Sequence, residues 1–289
     1  MVNFCVISSM KRLWVILTLL FVFSCEDKKN TDSNKTDSPC TDEIIAGKIP
    51  DGFPCSNKAI IDVFNSMNFE TTHPINAKNY GCIIVSNLEH PIQNGNNSAR
   101  FEVRKGDCSG NSGFDDCAND RSRHEINESI PNITHIGKLI EYTTFIYIPS
   151  DKFCKPKGEN ITILSQINVF DTNIFNSLIY LMIGNNDRLY LQTHKQFSWT
   201  PDLNVTITDE PYDKWIKIKY LINTETSING KIEVFVDDEL ILTQSKSTLP
   251  SENAQIGLRF GIYNAFISKA ETEFTRQVLY FDNVSKSIQ

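Results

Sequence analysis

The sequence predicts an all-β protein built from two antiparallel sheets, as a sandwich or jelly roll. Two observations predict this fold. Segments with apolar residues at alternate positions recur almost to the end of the chain, and turn sequences such as Asn229-Gly230 and Asp237-Asp238 separate them. The predicted strands are 82–86, 99–105, 121–126, 139–148, 161–170, 178–183, 189–193, 215–222, 231–236, 239–244, 255–263 and 277–285.

Length and charge limit the possible functions. The chain has 289 residues, 40% of them hydrophobic, which is enough for one large domain with a substantial core. The formal net charge of -7 and the lack of a basic stripe argue against nucleic acid as a partner. An acidic protein can still bind an anionic ligand at a local cluster of arginines.

The N-terminus has the pattern of an export signal. Lys11 and Arg12 precede an apolar run from Leu13 to Phe23, which ends just before Cys25. This pattern resembles a bacterial lipoprotein signal with Cys25 as the lipidated residue, and the alternative is an ordinary secretory signal that contains a cysteine. We therefore expect a membrane contact through a lipid anchor, in the outer membrane or at the cell surface of a Gram-negative bacterium. The expected division is a signal peptide at 1–24, a flexible tether at 25–40 and a single domain at 41–289.

Six further cysteines indicate disulfides, because an even number is typical of an exported chain. They are Cys40, Cys55, Cys82, Cys108, Cys117 and Cys154. Spacing favours a bond between Cys108 and Cys117, which bracket a loop rich in Gly, Ser and Asp. The other pairings stay open.

The strand at 161–170 places two amides on one face. Strict alternation puts Gln166 and Asn168 together, and it puts Ile161 and Ile163 on the opposite face, toward the core. Amides are costly in a packed apolar interface. This face is therefore expected to be wet or to bind a polar ligand.

Two strands carry arginine and glutamate on one face each. Arg100 and Arg104 flank Glu102 on the first, and Arg121 and Arg123 precede Glu125 on the second. Such a pattern is also typical of a solvated outer face with weak ion pairs, which is the alternative interpretation.

A strand near the C-terminus combines an arginine, a glycine and a tyrosine. Arg259, Gly261 and Tyr263 alternate along it, so they are predicted to share a face. A glycine inside a strand permits a close approach by another group.

These segments together resemble the jelly-roll polysaccharide lyases, which include the heparin-lyase-like, glucuronan lyase and alginate lyase families. Alginate lyases carry an R-x-E-x-R strand, a Q-I-H strand and a Y-F-K-A-G-x-Y strand. In this sequence, the segment from Arg100 to Arg104 resembles the first motif, Gln166-Ile167-Asn168 resembles the second, and the segment from Arg259 to Tyr263 resembles the third. The segment from Arg121 to Glu125 is similar to an arginine and glutamate strand of the heparin-lyase-like group. The resemblance implies a concanavalin A-like sandwich with a concave substrate groove.

The resemblance also implies a chemistry. Such enzymes cleave uronate glycans by β-elimination: a base removes the C5 proton, and the oxygen on C4 leaves. Donors must neutralise the uronate carboxylate, and we expect Gln166 and Asn168 with Arg100 or Arg104 to do so. The resemblance assigns proton donation to Tyr263, which could also act as the base if nearby arginines lower its pKa.

Asn168 stands where the family has histidine, so the base is left open. The alternatives are His124, on the second arginine strand, and His194, which is predicted to share a face with Tyr190 and Gln192. The catalytic candidates are thus Tyr263, Gln166, Asn168, Arg100 and His124. The substrate-binding candidates are Arg104, Arg121, Arg123, Arg259, His194 and Tyr190.

No cofactor is expected to be required. The acidic segment 107–120 has oxygen ligands that suit Ca²⁺, but it lacks the EF-hand spacing, and a solvated loop is the alternative.

The expected function is a carbon-oxygen lyase that acts on an anionic uronate glycan such as alginate, glucuronan, ulvan or a heparin-like chain, and leaves a 4,5-unsaturated end. One alternative is an end-acting dehydratase that eliminates water by the same chemistry, and another is a non-catalytic carbohydrate-binding lipoprotein. A hydrolase is less favoured because the strands offer only Glu102 and Glu125 as carboxylates, each flanked by arginine.

Overall fold

The computed structural model describes residues 51–55, 69–72, 78–86, 89–108, 110–111, 114–129, 134–171, 175–271 and 275–289. All of them fall within one compact unit, Asp37–Gln289. The predicted signal peptide, the tether and Cys25 lie outside the described residues. In the described part of the chain, no helix is long and apolar enough to cross a membrane.

The described strands form two large antiparallel sheets, which confirms the predicted fold class. The eight-stranded sheet has the order β1-β3-β4-β17-β8-β13-β14-β15. Its strands are β1 (Phe53–Pro54), β3 (Cys82–Ser86), β4 (Asn97–Arg104), β8 (Leu139–Tyr147), β13 (Trp215–Asn223), β14 (Lys231–Val236), β15 (Glu239–Ser245) and β17 (Arg276–Ile288).

The seven-stranded sheet has the order β12-β11-β10-β9-β16-β7-β2. Its strands are β2 (Phe69–Thr72), β7 (Arg121–Glu128), β9 (Ile161–Phe170), β10 (Phe175–Ile183), β11 (Leu189–His194), β12 (Pro201–Thr208) and β16 (Gln255–Ala265). A short hairpin of β5 (Gly110–Asn111) and β6 (Phe114–Asp115) and one 3-10 turn (Ile267–Lys269) complete the described elements.

The core lies between the two sheets and follows from the alternation along each strand. On β8, for example, Ile140, Tyr142 and Ile146 are buried while their neighbours are partly exposed. Three phenylalanines from both sheets, Phe101, Phe260 and Phe281, meet there at ring-centroid distances of 4.9 to 5.7 Å. Edge-on aromatic contacts of this kind fix how the sheets sit on each other.

Each strand that the sequence predicted is present, and one long strand was missed. Strand β12 begins at Pro201 and is mostly exposed at the edge of its sheet. An edge strand tolerates proline and polar residues because one side of its backbone faces no partner strand. Its sequence therefore lacks the apolar alternation on which the prediction relied.

A paired irregularity in β9 and β16 changes which residues face the core. The register pairs Phe260 with Ser165 and then Tyr263 with Ile163, so Gly261 and Ile262 oppose a single residue on β9. Bulges of this kind redirect the side chains on one side of the insertion. The prediction that Ile161 and Ile163 face the core is therefore wrong: both pack with Tyr263 on the opposite face.

Gly261 is required at this bulge. Its φ of 138° is one that residues with a side chain rarely adopt, and a Cβ there would lie 2.3 Å from the His124 carbonyl oxygen and 2.8 Å from the Glu125 Cα. The group that approaches the glycine is thus the backbone of β7.

We expect Gly261→Ala to lower the free energy of unfolding by about 3 kcal/mol, because both the φ and the backbone contact oppose a methyl group. Chemical denaturation measures the change. Gly137→Ala is the matched control, since Gly137 has a φ of 72° but open space around its Cα, and a cost of only about 1 kcal/mol is expected. Equal losses in the two variants would contradict the steric argument.

Candidate functional site

Polar residues gather on the face of the seven-stranded sheet that points away from the core. We call this the polar face and define it by Arg123, Glu125, Gln166, Asn168, Arg259 and Tyr263. All of them are at least nine-tenths buried. The predicted groupings of Gln166 with Asn168 and of Arg259 with Tyr263 are confirmed by the register and the contacts below.

Glu125 lies at the centre of the polar face. Its carboxylate accepts a hydrogen bond from Gln166 Nε2 at 2.6 Å and one from Arg123 Nη1 at 3.3 Å. Arg259 Nη1 lies 3.8 Å from the same carboxylate. Since Glu125 is 1% exposed, its charge depends on these partners, and Glu125 in turn orients all three side chains.

The bulge explains how Gln166 and Glu125 meet although strand β16 runs between their strands. Gly261 is the residue of β16 opposite Glu125, and it has no side chain to separate the two groups. Phe260 and Ile262 on either side point into the core. Two residues from different neighbours of β16 therefore form a direct hydrogen bond across it.

Arg123 links Glu125 to the tyrosine. Asp116 binds its guanidinium through two hydrogen bonds, from Nε at 2.7 Å and from Nη2 at 2.6 Å. The guanidinium carbon lies 4.0 Å from the centre of the Tyr263 ring, and that of Arg121 lies 5.9 Å from it. Cations placed over an aromatic ring at such distances attract its π-electrons.

The pKa of Tyr263 is set by opposing effects. Burial raises it above the ordinary value of 10.0, while the charges of Arg123 and Arg121 lower it, and burial has the larger effect. The hydroxyl therefore carries its proton at neutral pH. This favours the predicted role of acid and speaks against the same group as the base.

Asn168 offers an unused donor. Its Oδ1 accepts a hydrogen bond from the Ser177 hydroxyl, whereas its buried Nδ2 has no hydrogen-bond partner among the described residues. A buried amide without a partner costs about 1–3 kcal/mol. A ligand oxygen beside Asn168 would recover this energy.

His194 lies at the β11 side of the same face. Its Nδ1 donates to the Ser177 carbonyl oxygen at 2.9 Å, so Nε2 is the unprotonated nitrogen of the neutral ring. Burial lowers its pKa below the ordinary 6.5, which keeps the ring neutral at pH 7. Its ring centroid lies 4.5 Å from that of Tyr180. Tyr190 packs farther along this face, beside Ile161 and Tyr263.

Arg100 and Arg104 do not belong to the polar face. Both lie on β4, in the eight-stranded sheet, and both bind Glu102 at 2.5 Å. Arg104 also packs over the Tyr80 ring at 3.7 Å. The prediction that Arg100 meets Gln166 and Tyr263 is therefore wrong, because β4 pairs with β3 and β17 rather than with β7 or β16.

His124 is also separated from the polar face. Alternation on β7 turns it toward the other sheet, where its Nε2 lies 3.5 Å from Asp107 and its ring meets Tyr80 edge-on. The placement therefore removes His124 from the candidates for the base. Among the sequence candidates, Tyr263, Gln166, Asn168, Arg121, Arg123, Arg259, His194 and Tyr190 remain on one face.

Sequence reasoning missed three contributors. The sequence pattern predicts Glu125 only as an ion-pair partner, and it does not single out Asp116 or Ser177 for this site. Glu125 and Asp116 had a visible signal, since both lie close in sequence to Arg123. Ser177 had none, because its role depends on the pairing of β10 with β9, where it opposes Asn168.

Two predictions concern the acidic loop: a disulfide, which is confirmed, and a bound Ca²⁺ ion, which is not tested. Cys108 and Cys117 form a disulfide, as predicted, and a second joins Cys55 to Cys82. In the described part of the chain, no three His, Cys, Asp or Glu side chains meet in a group that could hold a metal ion. Asp116 and Asp120 bind Arg123 and Ser268. Calcium binding stays a prediction.

Comparison with known proteins places this chain in a family. Residues 84–285, well over half of the chain, match the family described as polysaccharide lyase. None of the curated proteins compared with the sequence matches it significantly.

Several solved structures share the fold. An endo-β-1,4-glucuronan lyase from the fungus Trichoderma reesei has a TM-score of 0.54 at 13% identity, covering 77% of this chain and 95% of its own. The family 7 alginate lyase AlgAT5 gives 0.52 at 14% identity, covering 79% and 98%. A variant of the alginate lyase Aly36B in complex with an alginate trisaccharide gives 0.54 at 11% identity, covering 82% and 93%. The matched family and the shared jelly-roll fold agree, and the chain belongs to the polysaccharide lyase family.

Proposed function

We propose that the polar face cleaves a uronate-containing glycan by β-elimination. The observation that carries this proposal is the unpaired amide of Asn168 on the same face as the protonated Tyr263. An anionic group at this position would meet the Asn168 amide and the guanidinium of Arg259, which lies on β16 two residues from Gly257, the partner of Asn168 in the register. Family membership favours the lyase over a binding protein without activity.

The reaction needs neutralisation first. The C5 proton of a uronate becomes removable only when donors stabilise the charge that develops on the carboxylate, and one such donor is worth about 3 kcal/mol. Asn168 Nδ2 and Arg259 are our donors. Gln166 gives its NH₂ group to Glu125, so its contribution is to orient that carboxylate and, through it, both arginines.

Proton transfer then involves two groups. We assign the base to His194, because its Nε2 is unprotonated at neutral pH while Tyr263 is not. The electrons of the C5–H bond form the C4–C5 double bond, the C4–O bond breaks, and the departing oxygen takes the proton of Tyr263.

The leaving group decides the type of product. If the departing oxygen belongs to a glycosidic bond, the glycan chain is cut; if it belongs to a free hydroxyl group, water is released. Mass analysis of the products distinguishes the two.

Replacing Tyr263 by Phe tests the acid. The variant keeps the ring beneath Arg123 but has no proton to give, so we expect product formation, followed by ultraviolet absorbance of the unsaturated uronate, to fall about 10²- to 10⁴-fold with binding retained. Tyr147→Phe, on the outer face of the eight-stranded sheet, is the matched control and should keep full activity. An active Tyr263→Phe enzyme would refute the assignment.

The pH profile tests both groups. Because the pKa of His194 is lowered below 6.5 and that of Tyr263 is raised above 10.0, activity should be level at neutral pH. It should fall below pH 6.5 as His194 gains a proton, and above pH 10 as Tyr263 loses one. An acidic limb above pH 6.5 would exclude His194 as the base.

The variant Asp116→Asn tests whether the alkaline limb of the pH profile belongs to Tyr263. The negative charge of Asp116 contributes to the raised pKa of Tyr263, so its removal should lower that pKa and move only the alkaline limb to lower pH. Asp115→Asn, an exposed neighbour in the same turn, should leave both limbs in place.

We also propose that Cys25 carries a lipid and anchors the protein in the cell envelope. Lys11 and Arg12, the apolar run after them and the position of Cys25 support it. Cells fed labelled palmitate should label the wild-type protein, and Cys25→Ser should remove the label. Equal labelling of the two proteins would contradict the proposal.

A further inference from the structure

A cavity of about 320 Å³ opens beside the polar face, where β9 begins and β10 turns into β11. Ile161 and Tyr190 belong both to its wall and to the cluster around Tyr263. Ile161 is two residues from Ile163, the partner of Tyr263 in the register, which places it about 7 Å farther along the strand. A glycan bound at Tyr263 and aligned with β9 would therefore extend into this cavity with a neighbouring sugar.

The charges of the cavity differ from those of the polar face. Among the lining residues that the structure describes, Arg188 is the single cation, and Asp209 neutralises it at 2.6 Å. The wall also contains the carboxylate of Glu159, which pairs with Lys269 at 2.5 Å. Both charges of the wall are thus paired, so a second uronate carboxylate would meet no unpaired cation among the described lining residues and would gain little here.

The remaining wall is suited to hydroxyl groups. It includes the amides of Asn185, Asn186 and Asn204 and the hydroxyl of Thr206. Asn204 Oδ1 accepts a hydrogen bond from Gln192, so its NH₂ group keeps donors for a ligand. The Tyr190 ring supplies an aromatic surface for the apolar face of a sugar. Gly184 gives that ring room, since a Cβ there would approach it to 3.2 Å.

We propose that this cavity binds an uncharged sugar next to the uronate that reacts. The substrate is then a heteropolysaccharide in which uronates and neutral sugars are linked, rather than a polymer of uronates alone. The proposal rests on the elimination assigned to the polar face and adds the chemical class of the neighbouring sugar.

Two sets of oligosaccharides of equal length test it: one of uronates only, the other with uronates and neutral hexoses in alternation. For the wild-type protein we expect kcat/KM, followed by absorbance of the unsaturated product, to be about tenfold higher on the alternating set. Thr206→Lys places a cation in the cavity and should reduce or reverse this preference. Thr243→Lys adds the same charge on β15 of the other sheet and should not change it.

Calorimetric affinities for both sets separate the two possible failures. Tighter binding of the alternating set without any product would overturn the elimination and retain the cavity assignment. Equal affinity and equal kcat/KM for the two sets, unchanged by Thr206→Lys, would overturn the neutral-sugar site while leaving the elimination in place.

Discussion

The buried charge of Glu125 is the constraint on which the functional face depends. A carboxylate that is 1% exposed must be compensated, and removing one partner of such a buried pair costs about 3–5 kcal/mol. Gln166, Arg123 and Arg259 come from three adjacent strands, and each is oriented by this one group. The stability of the sheet and the arrangement of the polar face therefore depend on the same group. That coupling orients these side chains in advance, which the proposed elimination would require of its donors.

Most of the secondary structure could be predicted from the sequence, because apolar residues alternate with polar ones along a strand that buries one face. Strands β3, β9 and β14 begin and end at the predicted residues, and the other predicted strands differ by a few positions. Two features were beyond this signal. Strand β12 is an exposed edge without alternation, and the bulge at Gly261 shifts the register within β9 and β16, which a rule of strict period two does not allow.

The two arginine strands show why the site was harder to predict than the fold. Both have arginine and glutamate on one face, and Glu102 is as well paired as Glu125. They differ only in their neighbours: β4 joins β17, whereas β7 joins β16 and so meets Tyr263. These partners lie more than a hundred residues away in the chain, and local composition contains no information about such pairing. The pattern within each strand therefore predicts the face of Arg123 and of Arg100, but not that Arg123 lies beside Tyr263 while Arg100 lies in the other sheet.

The disulfide between Cys108 and Cys117 links this chemistry to the redox state of its surroundings. Cys117 directly follows Asp116, the residue that holds Arg123 above the Tyr263 ring, so the disulfide restrains the segment that contributes to the electrostatics around Tyr263. Such bridges persist outside the cytosol and are reduced within it. In protein prepared in a reducing host, the Asp116 segment would thus lose this covalent tether, and the bond between Cys55 and Cys82 would be lost as well. A preparation should therefore be judged by whether the bond between Cys108 and Cys117 has formed, and not only by whether the protein is folded.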